Sequence, residues 1–213
     1  MSGSETLKPA RARRARGVQT AGPQAQQHLL RAASELFYSE GVRCVGVDAV
    51  VERAGVNKMS LYRQFSSKDE LVMAYLEQKD EQFFGYVEKS LAKHPGEPAK
   101  QLQQYFDDLA VRASVDDYRG CAFMNVSVEF SDTAHPARQF VFRNKRHLMA
   151  RLLELTTAAG ADDPQALSDG LGLLIEGVYA ASQTYGPGCG PILAAPKVAA
   201  QLIAAACGET RAR

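Results

Sequence analysis

Apolar side chains recur along this chain at three- and four-residue intervals, and the polar positions between them fall on opposite helical faces. Leu29, Leu30, Ala33, Leu36 and Phe37 share one face of a helix that begins near Pro23 and stops at Gly41. Val47, Val50, Val51 and Ala54 mark a second, short helix. Gly55 follows it and supplies the left-handed backbone that a tight inter-helix turn requires. Val56 fills the corner, and Asn57 is placed to accept from the free amides of a third helix carrying Met59, Leu61, Tyr62 and Phe65. Two short amphipathic helices joined at a glycine predict a helix-turn-helix.

Beyond it, Ser67 and Glu70 form a capping-box pattern that opens a long helix over about residues 68–94, which Pro95, Gly96 and Pro98 terminate. Helical spacing resumes over about 99–115, 136–159, 164–185 and, past a GPGCGP turn, 195–207. Residues 120–130 carry enough Val and Phe for a strand, but no partner strand exists elsewhere, so a buried helix is expected. The fold class is all-α, with about nine helices. Residues 1–22 read as a disordered basic arm, 23–68 as the helix-turn-helix module, and 69–213 as a helical bundle.

Composition changes this picture in one respect. The 213 residues have a net charge of +1, yet residues 1–68 hold 11 Lys/Arg against 5 Asp/Glu, and residues 69–213 hold 14 against 19. The basic excess coincides with the helix-turn-helix, which points to a polyanionic partner there. No apolar run approaches the ~20 residues that a bilayer needs, and the first residues lack the apolar stretch of a signal peptide. A cytoplasmic protein with no membrane partner is expected. Cys44, Cys121, Cys189 and Cys207 lack metal-ligand or disulfide-framework spacing, so reduced, mostly buried thiols and no metal or cofactor are expected.

The segment AGVNKMSLYRQFSSKDEL, residues 54–71, together with AASELFYSEGVRCVGVDAV, residues 32–50, closely resembles the TetR family (TetR/AcrR-type) of bacterial transcriptional regulators. The usual family pattern is AGVSKGTLYRHFxSKEEL, and Gly120 to Asn125 match a GCxFxN segment found in many members. The resemblance implies a homodimer on a palindromic DNA operator, usually a repressor, that lets go when a small-molecule effector enters the bundle. Lys58, Ser60, Tyr62 and Lys68 fall on family positions that approach phosphates or bases, and Leu61 and Phe65 on the buried face. Met59, Gln64 and Gly46 depart from the commonest family residues.

A helix fits the major groove of B-form DNA, where Lys58, Ser60, Arg63 and Gln64 can read base edges and Tyr62 and Lys68 can hold the backbone. With Met59 they form the expected DNA-facing set, and Arg11, Arg13, Arg14 and Arg16 form an arm suited to the adjacent minor groove. For a sensor, polar groups at one-turn spacing inside the bundle are the candidates, because burying them without partners is costly. These are Asn125 with Glu129, Arg143 with His147, and Glu176 with Tyr179 and Gln183. Phe83, Tyr105, Phe106, Cys121 and Phe123 are candidate walls. Small residues at Gly170, Gly172, Gly177, Ala180 and Ala181 permit close helix approach, and the resemblance puts a two-fold interface on the last two helices.

Two alternatives stand beside this expectation. One is a thiol redox-sensing regulator triggered at Cys121 or another cysteine; the other is a helical-bundle enzyme. Against the enzyme, the chain has no GxGxxG, P-loop, HExxH or GxSxG.

Overall fold

The computed structural model describes residues 22–208. Among these residues there are nine helices and no strand: α1 (Gly22–Glu40), α2 (Val47–Ala54), α3 (Lys58–Gln64), α4 (Lys68–Leu91), α5 (Pro98–Arg112), α6 (Ala122–Glu129), α7 (Pro136–Ala158), α8 (Pro164–Thr184) and α9 (Gly190–Cys207). The segment with strand-like composition is α6, which buries Ala122, Phe123 and Val126.

Local chemistry sets the first three helices. Gly55 closes α2 with φ 67° and ψ 26°, and its amide returns to the Glu52 carbonyl at 3.1 Å. Asn57 Oδ1 then accepts the Ser60 amide at 2.8 Å and starts α3. Val50 and Leu61 drive into the apolar face of α1, with Leu61 wholly enclosed. Phe37 of α1 meets Tyr75 of α4 edge-on at 5.5 Å, so the first half of α4 belongs to the same packing. The buried apolar residues form one cluster from Leu29 to Ile203.

One capping contact and two helix ends differ from expectation, each for a definable reason. At the start of α4, Ser67 Oγ accepts the Glu70 amide at 3.1 Å, but the Glu70 carboxylate returns to the amide and hydroxyl of Ser66, both at 2.6 Å. The reciprocal half of the capping box is displaced by one residue. At its end, the Lys93 and His94 amides reach back only three residues, to Ser90 and Leu91, so α4 tightens and stops at Leu91. The last helix begins at Gly190 rather than near 195, because Pro191 sits in the first turn, where its missing N–H costs nothing.

The earlier start corrects another expectation. With Pro196 in its interior and Lys197 as its single charge, α9 has 18 residues and is long and apolar enough to cross a membrane by length and composition; 22% of it is buried within the chain. The thiols also differ from expectation. Cys121 is buried, Cys189 and Cys207 are half-buried, and Cys44 is exposed on the loop before α2.

Candidate nucleic-acid interface and effector cleft

With Leu61 and Phe65 anchoring α3 inward, its other residues face away from the body. Met59 is 70% exposed and Tyr62 46%, with Arg63 exposed beside them. Lys58 is not free. Its ammonium lies 2.8 Å from the Asp48 carboxylate of α2, and that contact raises its pKa above the ordinary lysine value. Ser60 is also engaged, donating its hydroxyl to Asn57 Oδ1 at 3.1 Å. Gln64 and Lys68 are half-buried at the end of the face, and Gly46, the residue before α2, offers no side-chain cap. Arg11, Arg13, Arg14 and Arg16 lie outside the described residues.

Two ties join this module to α6. At one end, the Tyr38 hydroxyl donates to the Gly120 carbonyl at 3.0 Å and accepts the Arg119 amide at 2.8 Å, while the Arg119 guanidinium donates to the Tyr38 carbonyl at 3.2 Å. At the other end, Glu129 accepts the Arg43 amide at 2.7 Å, and the Arg43 side chain donates to the Glu129 carbonyl at 3.1 Å. Gly41, at φ 93°, makes room for this: a Cβ there would stand 3.2 Å from the Glu129 carboxylate. Glu129 therefore bridges two parts of the fold, a role that spacing along one helix could not reveal.

A cleft of about 250 Å³ opens where α1, α4, α5, α6 and α8 meet. Of the expected residues, Phe83, Cys121, Phe123 and Tyr179 line it. Tyr38, Lys79, Tyr86, Arg112 and Tyr118 line it too, and the sequence had not marked them. Tyr105 and Phe106 lie in the packed core, where Tyr105 and Tyr179 bring their hydroxyls within 3.4 Å. Asn125, Glu129 and Gln183 border a separate groove, in which Gln183 donates to Asn125 at 2.9 Å. Arg143 and His147 are exposed on α7, resting against Phe140 and Phe84. Glu176 holds the Lys145 ammonium at 2.5 Å, and the same ammonium reaches Cys121 Sγ at 3.6 Å. Burial pulls Lys145 down, but Cys121 and Glu176 outweigh it and leave its pKa above the ordinary value. The sequence reading missed Lys145, a half-buried charge whose partners lie 24 and 31 residues away.

A buried anchor, a capped second helix and an outward polar face define a helix-turn-helix DNA-binding protein. The family model described as bacterial regulatory proteins, tetR family, matches residues 29–75. A solved TetR transcriptional regulator from Streptomyces avermitilis is 33% identical, with a TM-score of 0.74 over 85% of this chain and 97% of that one. The activator FasR of Mycolicibacterium smegmatis is 43% identical over 63 residues, 30% of this chain and 29% of FasR. The repressor DhaR of Mycobacterium sp. (strain GP1) is 28% identical over 122 residues, 55% of this chain and 58% of DhaR. The matches to these two curated relatives thus span less than two thirds of their length. The chain belongs to the TetR family of bacterial transcriptional regulators, which bind DNA and are not enzymes.

Proposed function

We propose that this regulator is a ligand-responsive repressor that acts in the cytoplasm as a homodimer on a palindromic operator. Residues 23–68 serve as the DNA-binding module and 69–213 as the sensing and dimerisation bundle. The observation that carries the proposal is the outward face of α3, where Met59, Tyr62 and Arg63 stand exposed around an enclosed Leu61. Arg63 and Lys58 read base edges, Ser60, Met59 and Gln64 shape the contact, and Tyr62 and Lys68 hold phosphates. The arginine arm adds a minor-groove contact.

Exposed Leu173, Gly177 and Ala180 on α8, with Leu193, Val198 and Leu202 on α9, support a two-fold helical seam. Such a dimer sets its recognition helices about 34–36 Å apart, one turn of DNA. The cleft is the effector site, because Tyr38 links its wall to the loop entering α6 and Glu129 links α6 to Arg43. A ligand favouring the conformer with the wrong helix spacing shifts the population away from DNA. The test is a gel shift on the protein's own upstream DNA, with a reporter read in its presence and absence. Salt-sensitive preference for one palindrome and lower reporter output are expected; equal binding to random duplex would overturn the proposal.

A further inference from the structure

The walls of the cleft are aromatic, and its charged groups are mostly cationic. Tyr38, Phe83, Tyr86, Tyr118 and Phe123 supply rings, while Lys79 and Arg112 supply cations from α4 and α5. Neither cation has a carboxylate within ion-pair distance among the described residues. Lys79 is half-buried over the rings of Tyr38 at 5.4 Å and Tyr75 at 5.7 Å, and its polar neighbour is Gln82 Oε1 at 3.4 Å. Arg112 lies over Tyr86 at 4.9 Å. Asp117 also borders the cleft, but from an exposed rim position.

Cations half-withdrawn from water, with ring faces and one amide oxygen but no carboxylate beside them, retain unmet demand for an anion. Consistent with this, burial holds the Lys79 pKa below the ordinary lysine value. The cleft is also small. At about 250 Å³ it lies below the ~300–1,000 Å³ that takes drug-sized ligands, so its guest carries one or two rings.

Building on the effector-site reading above, we infer that the cleft takes a small aromatic carboxylate, its ring between the aromatic walls and its charge met by Lys79 with Arg112 at the far end. Lys79 and Tyr86 are two turns apart on α4, roughly 10 Å along the axis, so the two cations bracket the ring rather than share one oxygen.

The test uses the full chain and three matched probes: 2-naphthoate, neutral 2-naphthamide and cationic 2-naphthylmethylamine, each titrated by calorimetry and checked by thermal shift. Naphthoate is expected to bind at least ten-fold tighter than the amide, with the amine weakest. Lys79→Gln is expected to erase that preference, Arg112→Gln to reduce it, and Lys79→Arg to restore most of it. If Lys79→Gln does not fold, the ligand series on the unaltered chain still decides. Equal binding of naphthoate and naphthamide overturns the anion inference and leaves the cleft as an effector site. No binding by any probe counts against both, while DNA binding stays separately readable by gel shift.

Discussion

Glu129, the last residue of α6, accepts the backbone amide of Arg43 at 2.7 Å and so fastens the bundle to the loop that feeds the helix-turn-helix. A charge-assisted bond of this kind contributes about 1.5 kcal/mol when part of it is wet. Replacing Glu129 with alanine should therefore speed hydrogen exchange at the Arg43 amide by about ten-fold. Glu129→Gln keeps an acceptor and should fall between. The melting temperature should fall by only about 3–6 °C, the shift that a loss of about 1.5 kcal/mol gives in a chain of this size. Unchanged exchange at Arg43 would show that the tie does not hold in solution.

Lys58, proposed above to read base edges, is paired with Asp48 at 2.8 Å in the free chain. Asp48→Asn removes a negative charge from the side proposed to face DNA and releases the ammonium to meet phosphate or a base. Fluorescence anisotropy should show several-fold tighter operator binding, and the salt dependence should steepen by about one counterion. Weaker binding would mean that Asp48 positions Lys58 rather than competes for it. In the same assay, Tyr62→Ala and Lys68→Ala should weaken every duplex alike. Arg63→Ala should relax discrimination at single base pairs by about 1–3 kcal/mol.

The contrast between these two regions explains what was legible in the sequence. The turn at Gly55 and the cap at Asn57 are local chemistry, satisfied within three residues, and both formed as the residue types predict. The helices followed from periodicity, and α9 was misplaced only because Gly190–Pro191 reads equally well as turn or first helical turn. The bundle was different. One-turn spacing put Asn125 with Glu129 and Arg143 with His147, but it does not say which way a shared face points. Glu129 turned to Arg43 across 86 residues, and Arg143 and His147 turned outward. Lys79 and Arg112 drew no notice because exposed lysines and arginines are the norm, and only the rings packed around them make these two unusual.

Lys145 and Glu176 form the half-buried ion pair of the bundle interior, at 2.5 Å. Glu176→Gln leaves the ammonium among Cys121 and the Tyr179 ring without its carboxylate, and should lower stability at pH 7 by about 1–2 kcal/mol in urea, given that both side chains keep some water. The sign with pH follows from the raised Lys145 pKa. The pair's contribution is fully present below the unfolded lysine value of about 10.4 and is lost as pH climbs through the higher folded value. The difference between the two proteins should thus stay level from pH 7 to 9 and shrink only above pH ~10.5. A gap that closes near pH 8 would assign the effect to another group.

Two glycines on α8 separate the monomer's packing from the proposed dimer seam. At Gly172 an added Cβ would land 2.7 Å from Met149 Sδ, whereas at Gly177 it would meet nothing within 4 Å in the isolated chain. Gly177 lies one turn beyond Leu173, which is 76% exposed, on the same apolar face. Gly172→Ala should therefore crowd α7 and leave the oligomer intact. Its net cost should be about 1 kcal/mol, since Met149 can swing aside and helix propensity repays part of the strain. Gly177→Arg should do the reverse. An isolated α8 gains helix propensity from losing glycine, so the fold should hold, but a charged side chain at a close helix crossing should split the dimer. Sedimentation at micromolar concentration should then give a monomer with unchanged far-ultraviolet dichroism, and operator binding should lose its preference for paired half-sites. A Gly177→Arg protein that still sediments as a dimer would move the seam off this face of α8.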